Sequence, residues 1–196
     1  MKKQALITGA TSGIGRATAL RLAKEGYAVI ATGRRADRLA TLRAEIEAAG
    51  GRCTTLAFDV RSEEEVRRNL SPLENIDLLV NNAGLAAGLE HIDLGDTRDW
   101  DAMIDTNVKG LLYVTRIITP KMIAAGGGHV INIGSIAGTE PYENGAVYCA
   151  SKHAVHAISQ AMRADLLSHR IKVTEIRPGT VSYTHLRAHE TSLHLV

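Results

Sequence analysis

Predicted strands and helices alternate along this chain, and that alternation limits its fold more than any other feature of the sequence. Short apolar runs, which predict buried strands, lie at residues 4–8, 27–32, 52–58, 76–80, 129–133 and 171–176. Helical patterns fill the intervals, the first ending at Lys24 and the others covering residues 38–49, 62–70, 97–125 and 146–168. Strands joined through helices pair in parallel, with right-handed connections. The sequence therefore predicts an α/β fold with a doubly wound parallel sheet.

Composition predicts one globular domain and argues against several kinds of partner. Of the 196 residues, 45% are hydrophobic and 22% are charged, which suits a chain with a sizeable core. A formal net charge of +2 with scattered basic residues argues against nucleic acid and against an anionic membrane as partners. The chain starts without a signal-peptide pattern, and no apolar run reaches membrane-spanning length. We therefore expect a cytoplasmic protein.

Cysteine and histidine usage gives no sign of a metal site. The chain has two cysteines, Cys53 and Cys149, without a Cys-x-x-Cys pair or a histidine at ligand spacing. This pattern fits a reducing compartment, and we interpret both cysteines as small core residues. His153 and His156 lie three residues apart on one predicted helix without carboxylate partners, so we interpret them as surface or packing residues.

A glycine-rich turn joins the first predicted strand to the first predicted helix. It reads Gly9-Ala10-Thr11-Ser12-Gly13-Ile14-Gly15. Glycines let the backbone approach a pyrophosphate, and the positive end of the following helix attracts that group. The spacing is Gly-x-x-x-Gly-x-Gly, not the commoner Gly-x-Gly-x-x-Gly. The turn predicts a dinucleotide site, and the alternative is a turn that only starts the helix.

Two arginines, Arg34 and Arg35, follow the second predicted strand. NAD-binding folds carry an acidic residue at this place for the ribose 2′-hydroxyl, whereas arginine accommodates the 2′-phosphate of NADP. The nearest acid, Asp37, is interpreted as the N-cap of the helix over residues 38–49. The arginines therefore favour NADP over NAD, and the alternative is an exposed basic loop.

Polar residues also follow the third and fourth predicted strands. Asp59 and Val60 come directly after the third, and Asn81-Asn82-Ala83-Gly84 comes after the fourth. Side-chain amides at a strand end either tie neighbouring backbone together or contact a ligand, and the sequence favours neither interpretation.

The predicted helix over residues 97–125 carries a polar residue, Asn107, on its apolar stripe, and Pro120 is expected to bend it near its end. A buried amide without partners costs about 1–3 kcal/mol. Asn107 is therefore either a core residue that holds backbone or a site residue that reaches the end of the sheet.

The residues with the clearest chemistry are Tyr148 and Lys152, four residues apart on the helix predicted over residues 146–168. This spacing places the two side chains one turn apart on the same face. A neighbouring cation lowers the pKa of a phenol, so the pair predicts that Tyr148 donates or accepts a proton. Ser135 follows the strand at residues 129–133, where its hydroxyl could hydrogen-bond a carbonyl oxygen. Because Tyr-x-x-x-Lys also occurs by chance in helices, the pair alone does not establish catalysis.

These motifs, in this order, together with Arg177-Pro178-Gly179, resemble the short-chain dehydrogenase/reductase family over residues 4–181. The resemblance implies a Rossmann fold with six strands in the order 3-2-1-4-5-6 and the last strand of the family missing. It implies that Asn107, Ser135, Tyr148 and Lys152 are the catalytic residues. It further implies that the cofactor site contains Gly9, Thr11, Ser12, Gly13, Ile14, Gly15, Arg34, Arg35, Asp59, Val60, Asn82, Ala83, Gly84, Tyr148, Lys152, Pro178 and Gly179.

The family resemblance also implies a role for each catalytic residue. Ser135 holds the substrate oxygen, and Tyr148 exchanges a proton with it. Lys152 lowers the pKa of the phenol and binds the nicotinamide ribose, while Asn107 positions a water that serves Lys152. In the cofactor site, Asp59 and Val60 flank the adenine, Asn82, Ala83 and Gly84 border it, and Pro178-Gly179 approach the nicotinamide.

Several stretches, among them TGRRADRL and INIGSIAGTEPYENGAVYCASK, are most similar to the NADP-dependent 3-hydroxy acid dehydrogenases, which include serine and allo-threonine dehydrogenases. This similarity implies a small-molecule hydroxy acid or ketone as substrate and, for the full-length protein, a homo-oligomer, either a tetramer or a dimer. One alternative is 3-oxoacyl-carrier-protein reductase. Another is a cofactor-binding protein without turnover, either a sensor or an inactive fragment.

The chain changes character after Pro178-Gly179. Residues 182–196 include the run SYTHLRAHET, which resembles a translated sequencing adapter, so we interpret this tail as non-native and the domain as residues 1–181. A missing last strand leaves the strand at residues 171–176 as an exposed edge, which favours aggregation. We therefore expect poor solubility and weak or no activity.

Overall fold

The computed structural model describes residues 3–179 and shows a sheet of six strands in the order β3-β2-β1-β4-β5-β6. The strands are β1 (Gln4–Ile7), β2 (Ala28–Gly33), β3 (Arg52–Ala57), β4 (Leu78–Asn81), β5 (Gly128–Ile133) and β6 (Ile171–Ile176). All neighbouring strands pair in parallel. The strand order reverses between β1 and β4, where open parallel sheets bind their ligands. The predicted doubly wound sheet and its strand order are confirmed.

Helices connect consecutive strands, as predicted. They are α1 (Gly13–Lys24), α2 (Ala36–Ala48), α3 (Glu63–Leu70), α4 (Thr97–Ile104), α5 (Leu111–Ala124) and α6 (Ala146–Leu166). Short 3₁₀ turns cover Ile136–Gly138 and Leu167–His169. The single helix predicted over residues 97–125 is divided by a π-helical segment, Asp105–Gly110, which separates α4 from α5. Such segments concentrate at functional sites.

The start of α2 differs from the prediction. Arg35 occupies the N-cap position and the helix begins at Ala36, so Asp37 lies inside the first turn. The interpretation of Asp37 as the N-cap is therefore wrong. Its carboxylate still interacts favourably with the positive end of the helix.

The core has two layers because alternate residues of each central strand face opposite sides of the sheet. On β1, Leu6 packs in the layer that contains Val66 of α3 and Ile118 of α5. Its neighbour Ile7 packs in the other layer, which contains Leu39 of α2. Both faces of the sheet are thus covered, and the ends of the strands remain available for a site.

Cys53 and Cys149 are buried and free, which confirms their interpretation as core residues. Burial raises the pKa of Cys53 to about 11, so its thiol stays protonated at neutral pH. Residues 3–179 contain no helix that is both long and apolar enough to cross a membrane, and no cluster of three or more potential metal ligands. The predicted domain boundary at residue 181 and the predicted non-native tail, 182–196, lie outside the described residues.

Candidate active site

The residues predicted from separate motifs meet at the C-terminal edge of the sheet. Asn82, which follows β4, donates from Nδ2 to the carbonyl oxygen of Thr8 at the end of β1 (2.9 Å). Lys152 of α6 donates from Nζ to the carbonyl oxygen of Ile133 on β5 (3.0 Å). Pro178, which follows β6, accepts a hydrogen bond from the backbone nitrogen of Ile136 (3.1 Å). The edge therefore joins loops from four strands into one surface.

The side chain of Asn82 hydrogen-bonds the backbone of the glycine turn between β1 and α1. Asn82 Nδ2 also donates to the carbonyl oxygen of Gly9 (3.1 Å), and Thr8 Oγ1 accepts hydrogen bonds from the backbone nitrogens of Asn82 and Ala83 (both 3.0 Å). A Cβ at Gly15 would collide with both Asn82 Nδ2 and the Gly9 oxygen, so only glycine fits there. Of the two interpretations of this amide, the structure shows that it ties backbone together.

The N-terminus of α1 is suited to a phosphate group. Ser12 is the N-cap, its side chain makes no capping hydrogen bond, and no acidic residue lies in the first turn. The free backbone N–H groups and the positive end of the helix therefore face the turn without a competing carboxylate. Gly13, Ile14 and Gly15 form this first turn.

Arg35 lies against the same turn. Its Nη2 donates to Thr11 Oγ1 (2.6 Å) and to Ser12 Oγ (3.0 Å), and its Nε donates to Thr11 Oγ1 (3.2 Å). Burial, followed by repulsion from Arg38 and Arg34, lowers the pKa of Arg35. Positive charge is thus concentrated beside the glycine turn. This arrangement fits a bound dianionic phosphate better than it fits an exposed basic loop without a ligand.

Asp59 and Val60, at the end of β3, have structural contacts of their own. Asp59 Oδ2 accepts from Arg61 Nη2 (2.6 Å) and lies 3.9 Å from Arg34 Nη1. Burial raises the pKa of Asp59, but hydrogen bonds from Arg61 outweigh it and hold this pKa below its usual value. Val60 is a buried member of the core. The contact of both residues with adenine stays a prediction.

Tyr148 and Lys152 form a close pair on α6. Lys152 Nζ lies 5.8 Å from the centroid of the Tyr148 ring, within the range of a cation–π interaction. Only 7% of Lys152 is exposed. Burial lowers its pKa to about 8, although the carboxylate of Glu175 acts in the opposite direction. A lysine with this pKa is still mainly cationic at neutral pH, so a buried positive charge lies beside the phenol.

Asn107 occupies the π-helical segment and connects three parts of the site. Its Oδ1 accepts from the backbone nitrogen of Leu85 (2.8 Å), while its Nδ2 donates to the Leu85 oxygen (2.9 Å) and to Ser151 Oγ (3.0 Å). A Cβ built on Gly84 would lie 3.2 Å from Asn107 Oδ1 and 3.6 Å from Lys152 Nζ. The buried amide is fully partnered, and it also borders Lys152, so both interpretations of Asn107 describe part of its environment.

Ser135 begins the 3₁₀ turn after β5. Its Oγ accepts a hydrogen bond from the backbone nitrogen of Ala137 (3.1 Å), which leaves the hydroxyl proton available to a ligand oxygen. Pro178 and Gly179 lie against this turn, because the Pro178 oxygen binds Ile136 and a Cβ on Gly179 would lie 4.0 Å from Ile136 Cδ1. The structure thus brings the residues after β6 next to the serine.

Tyr148 lines a small cleft that is partly open to solvent. Its walls include side chains that the sequence analysis did not single out, namely Glu90, Asp99, Trp100, Met103 and Tyr142. Burial raises the pKa of Tyr142 to about 12, so this second phenol stays protonated. None of these residues has a motif, because they come from loops and from one face of α4. Only their arrangement around Tyr148 reveals them.

One premise drawn from the sequence, that neither His153 nor His156 has a carboxylate partner, is wrong. His156 does have a carboxylate partner, since its Nδ1 lies 2.7 Å from Glu175 Oε2 on β6. His153 is exposed, as expected, and its Nδ1 lies 2.9 Å from the carbonyl oxygen of Cys149. Residues 156 and 175 are far apart in sequence, so no local pattern could have paired them.

Comparisons with known proteins agree with this geometry. A family profile described as short chain dehydrogenase matches residues 3–193. A probable NADP-dependent dehydrogenase of Haemophilus influenzae is 47% identical over 179 residues, which cover 89% of this chain and 70% of that protein. NADP-dependent 3-hydroxy acid dehydrogenase YdfG of Escherichia coli K12 is 45% identical over 183 residues, 91% of this chain and 73% of YdfG.

A serine 3-dehydrogenase of Rhizobium radiobacter is 46% identical over 178 residues, 89% of this chain and 70% of that enzyme. Among solved structures, the closed form of serine dehydrogenase complexed with NADP⁺ superimposes with a TM-score of 0.87 at 44% identity. That match covers 91% of this chain and 73% of the other. The predicted family is confirmed: the chain belongs to the short-chain dehydrogenase family.

Proposed function

We propose that this chain is an NADP-dependent oxidoreductase that interconverts a secondary alcohol and a ketone, with a 3-hydroxy acid such as serine or allo-threonine as substrate. The observation that carries this proposal is the buried cation of Lys152 beside the phenol of Tyr148, which lines a cleft. A cation held out of water next to a phenol stabilises the phenolate, which makes that phenol a more effective acid and base at neutral pH.

The chain supplies the proton chemistry of this reaction. During oxidation, Tyr148 accepts the hydroxyl proton of the substrate, and during reduction it returns a proton to the carbonyl oxygen. Lys152 stabilises the phenolate form of Tyr148 through its positive charge. Ser135 donates a hydrogen bond to the substrate oxygen. A nicotinamide, when bound, accepts or donates the hydride that balances this proton transfer.

Asn107 keeps this arrangement in place. Its amide fixes the backbone at Leu85 and the side chain of Ser151, which precedes Lys152 on α6. The segment around Asn107 therefore holds the wall of the cleft against the helix that carries the catalytic pair. Precise placement of reacting groups is a large part of enzyme rate acceleration.

The residues at the first βα turn fit NADP better than NAD. Thr11, Ser12 and Arg35 form a cluster of donors beside the open N-terminus of α1, and Arg34 lies 61% exposed at the end of β2. No carboxylate follows β2 before α2, so a bare ribose 2′-hydroxyl lacks its usual acceptor. The names of several similar proteins, which include NADP, support the same choice.

The cleft favours a substrate that carries an ammonium group. Gly88 lies between two carboxylates, because a Cβ there would be 2.8 Å from Glu90 Oε2 and 3.2 Å from Asp99 Oδ2. Both residues line the same cleft as Tyr148. Serine and allo-threonine carry such a group, and the relatives named for serine support this substrate class.

A substrate screen tests the proposal. NADP and NAD binding would be titrated first, and NADP-linked oxidation of L-serine, L-allo-threonine and 3-hydroxyisobutyrate would then be followed by absorbance. Because we expect weak activity from this chain, the informative results are that any turnover requires NADP and is faster with the two amino acids. Cofactor binding without turnover of any hydroxy acid would instead support a non-catalytic protein, and faster reduction of a 3-oxoacyl thioester would support the carrier-protein reductase.

We further propose that the protein is a cytoplasmic homo-oligomer. Helix α5 exposes large apolar side chains, Leu112 at 42% and Ile123 at 37%, which an interface between copies would cover. Light scattering of the purified chain tests this, and Leu112→Glu is expected to shift the protein towards the monomer.

A further inference from the structure

One buried carboxylate has no part in the mechanism above. Glu175 lies on β6, and its side chain is only 3% exposed. Its Oε2 accepts a hydrogen bond from His156 Nδ1 (2.7 Å), whereas its Oε1 is buried without a hydrogen-bond partner among the described residues. Burying a carboxylate that is incompletely partnered costs several kcal/mol unless another charge compensates. Two groups on α6 can supply a positive charge to Glu175, namely His156, which is in direct contact with it, and Lys152, one turn before His156.

Glu175 is the outer member of a polar row that crosses the sheet, formed with Asn81 and Asn132. The strand register pairs Asn81 of β4 with Asn132 of β5, and Asn132 with Glu175 of β6. Asn81 Nδ2 donates to Asn132 Oδ1 (3.0 Å), and Asn132 Nδ2 donates to Ser159 Oγ on α6 (3.0 Å). Asn132 and Glu175 therefore lie under α6, the helix that carries Tyr148 and Lys152, whereas Asn81 also donates to Thr115 on α5 (3.0 Å).

The same helix connects Glu175 to Lys152. Tyr148, Lys152 and His156 follow at intervals of four residues, so they lie on one face of α6. Glu175 opposes the effect of burial and raises the pKa of Lys152. The phenol of Tyr148 and the neutral amide of Asn107 also border Lys152, and His156 lies one turn further along α6. Among the described residues, Glu175 is thus the counter-charge that acts on Lys152.

The backbone after β5 lies between the two charges. Lys152 Nζ binds the carbonyl oxygen of Ile133, and the next residue, Gly134, packs directly on Glu175. A Cβ at Gly134 would overlap with Glu175 Oε1, so glycine is needed for the carboxylate to occupy this place. Ser135 follows at once. The carboxylate is therefore in contact with the segment that places the serine and accepts the lysine.

We propose that Glu175 is a positioning residue of the active site, which keeps Lys152 positively charged and supports the backbone before Ser135, while His156 holds its carboxylate in place. This inference rests on the proposed function, because it assigns a purpose to the charge of Lys152. It predicts that removal of the Glu175 charge lowers the pH at which Lys152 loses its proton.

A titration of Lys152 by NMR tests this without turnover. The 196-residue chain would be labelled with [¹³Cε]lysine, and the Lys152 signal would be assigned by its absence in Lys152→Met. Glu175→Gln removes the charge with little change of shape, and Glu175→Asp retains the charge. Glu64→Gln on α3 is the matched control, because Glu64 is exposed on the helix that follows the outer strand β3.

We expect Glu175→Gln to move the Lys152 titration to lower pH by about half a unit. Glu175→Asp, which retains the charge, should titrate close to the unmutated chain, and Glu64→Gln should not change the titration. An unchanged Lys152 titration in a folded Glu175→Gln protein would overturn the proposal. If that variant does not fold, His156→Asn decides the question, since loss of the hydrogen bond should displace the carboxylate and shift Lys152 in the same direction. No shift in His156→Asn would also overturn it.

Activity provides a second readout. In the active protein, the alkaline limb of kcat/KM is expected to move to lower pH in Glu175→Gln, with a loss of about threefold on that limb. Absence of turnover in the unmutated chain would contradict the proposed function but would leave the Lys152 titration as a separate result. A shift in the titration with an unmoved pH profile would show that Glu175 does not serve catalysis, and would overturn its role as a positioning residue.

Discussion

The two halves of the candidate site are built in different ways. The cofactor half, around the turn from Thr8 to Gly15, consists of backbone groups and of side chains near solvent, such as Arg34 with 61% of its side chain exposed. The catalytic half, between β5 and α6, buries a lysine that is 7% exposed and a carboxylate whose side chain is 3% exposed. A phosphate site can use backbone N–H groups and solvated charges, whereas proton transfer needs a charge held out of water.

This difference has an energetic consequence. Exposed charges are solvated in the free protein and contribute little to stability, typically about 0–1 kcal/mol for a pair. Buried charges cost several kcal/mol each, and their partners recover only part of that cost. We therefore expect the cofactor half to be nearly neutral for stability and the catalytic half to be destabilising. Substitutions in the two halves test this contrast.

The largest effect is expected at Tyr148. Tyr148→Phe removes the proton donor and acceptor but retains the ring, so turnover should fall by about 10²–10⁴-fold while NADP affinity changes little. Steady-state kinetics and a cofactor titration measure the two quantities. Tyr27→Phe is the control, because Tyr27 packs against the core layer that contains α2 and is not part of the cleft. A Tyr148→Phe protein with unreduced turnover would remove the proposed mechanism.

A smaller effect, with two opposite parts, is expected at Lys152. Lys152→Met should lower turnover and NADP binding because it removes the cation beside the phenol. The same substitution should raise the free energy of unfolding at neutral pH by about 1–3 kcal/mol, since it removes a buried charge and loses one hydrogen bond to Ile133. Urea denaturation measures this, and Lys24→Met, at the exposed end of α1, is the control.

The pH dependence of this stabilisation has a definite sign. The pKa of Lys152 is lowered in the folded chain from 10.5 to about 8, so the folded state releases this proton before the unfolded state does. Between these two values the unfolded state binds more protons, and the contribution of Lys152 to stability therefore rises with pH. The advantage of Lys152→Met should shrink as pH rises from 8 to 10.5. A pH-independent advantage would contradict the burial of a charged lysine.

The two halves also differ in how much the sequence could predict. The glycine turn and the Tyr148–Lys152 pair depend on spacing within one turn or one helix, so local spacing is enough to predict that these residues lie close together. The contacts of Asn107 depend on a π-helical segment, which no pattern of apolar residues distinguishes from α-helix. The His156–Glu175 pair depends on the register between β5 and β6 and on how α6 crosses them. Such pairings are set by packing, and a single sequence does not reveal them.

The smallest effect is expected in the cofactor half. Arg35 binds Thr11 and Ser12 and thus presents a preformed donor cluster, but it remains close to water, where a charge-assisted hydrogen bond contributes about 1–2 kcal/mol. Arg35→Ala should weaken NADP binding by about tenfold, and NAD binding should change much less because NAD lacks the 2′-phosphate. Arg43→Ala provides the control, as Arg43 lies further along α2, is likewise exposed and pairs with Glu47. The loss of NADP affinity in Arg35→Ala should also diminish at high salt, since exposed charges are screened much more than buried ones.

Isothermal titration of both cofactors at low and high salt measures these changes in affinity. Equal weakening of NADP and NAD would mean that Arg35 only stabilises the glycine turn. A different residue of the solvated cofactor half would then have to bind the 2′-phosphate of NADP.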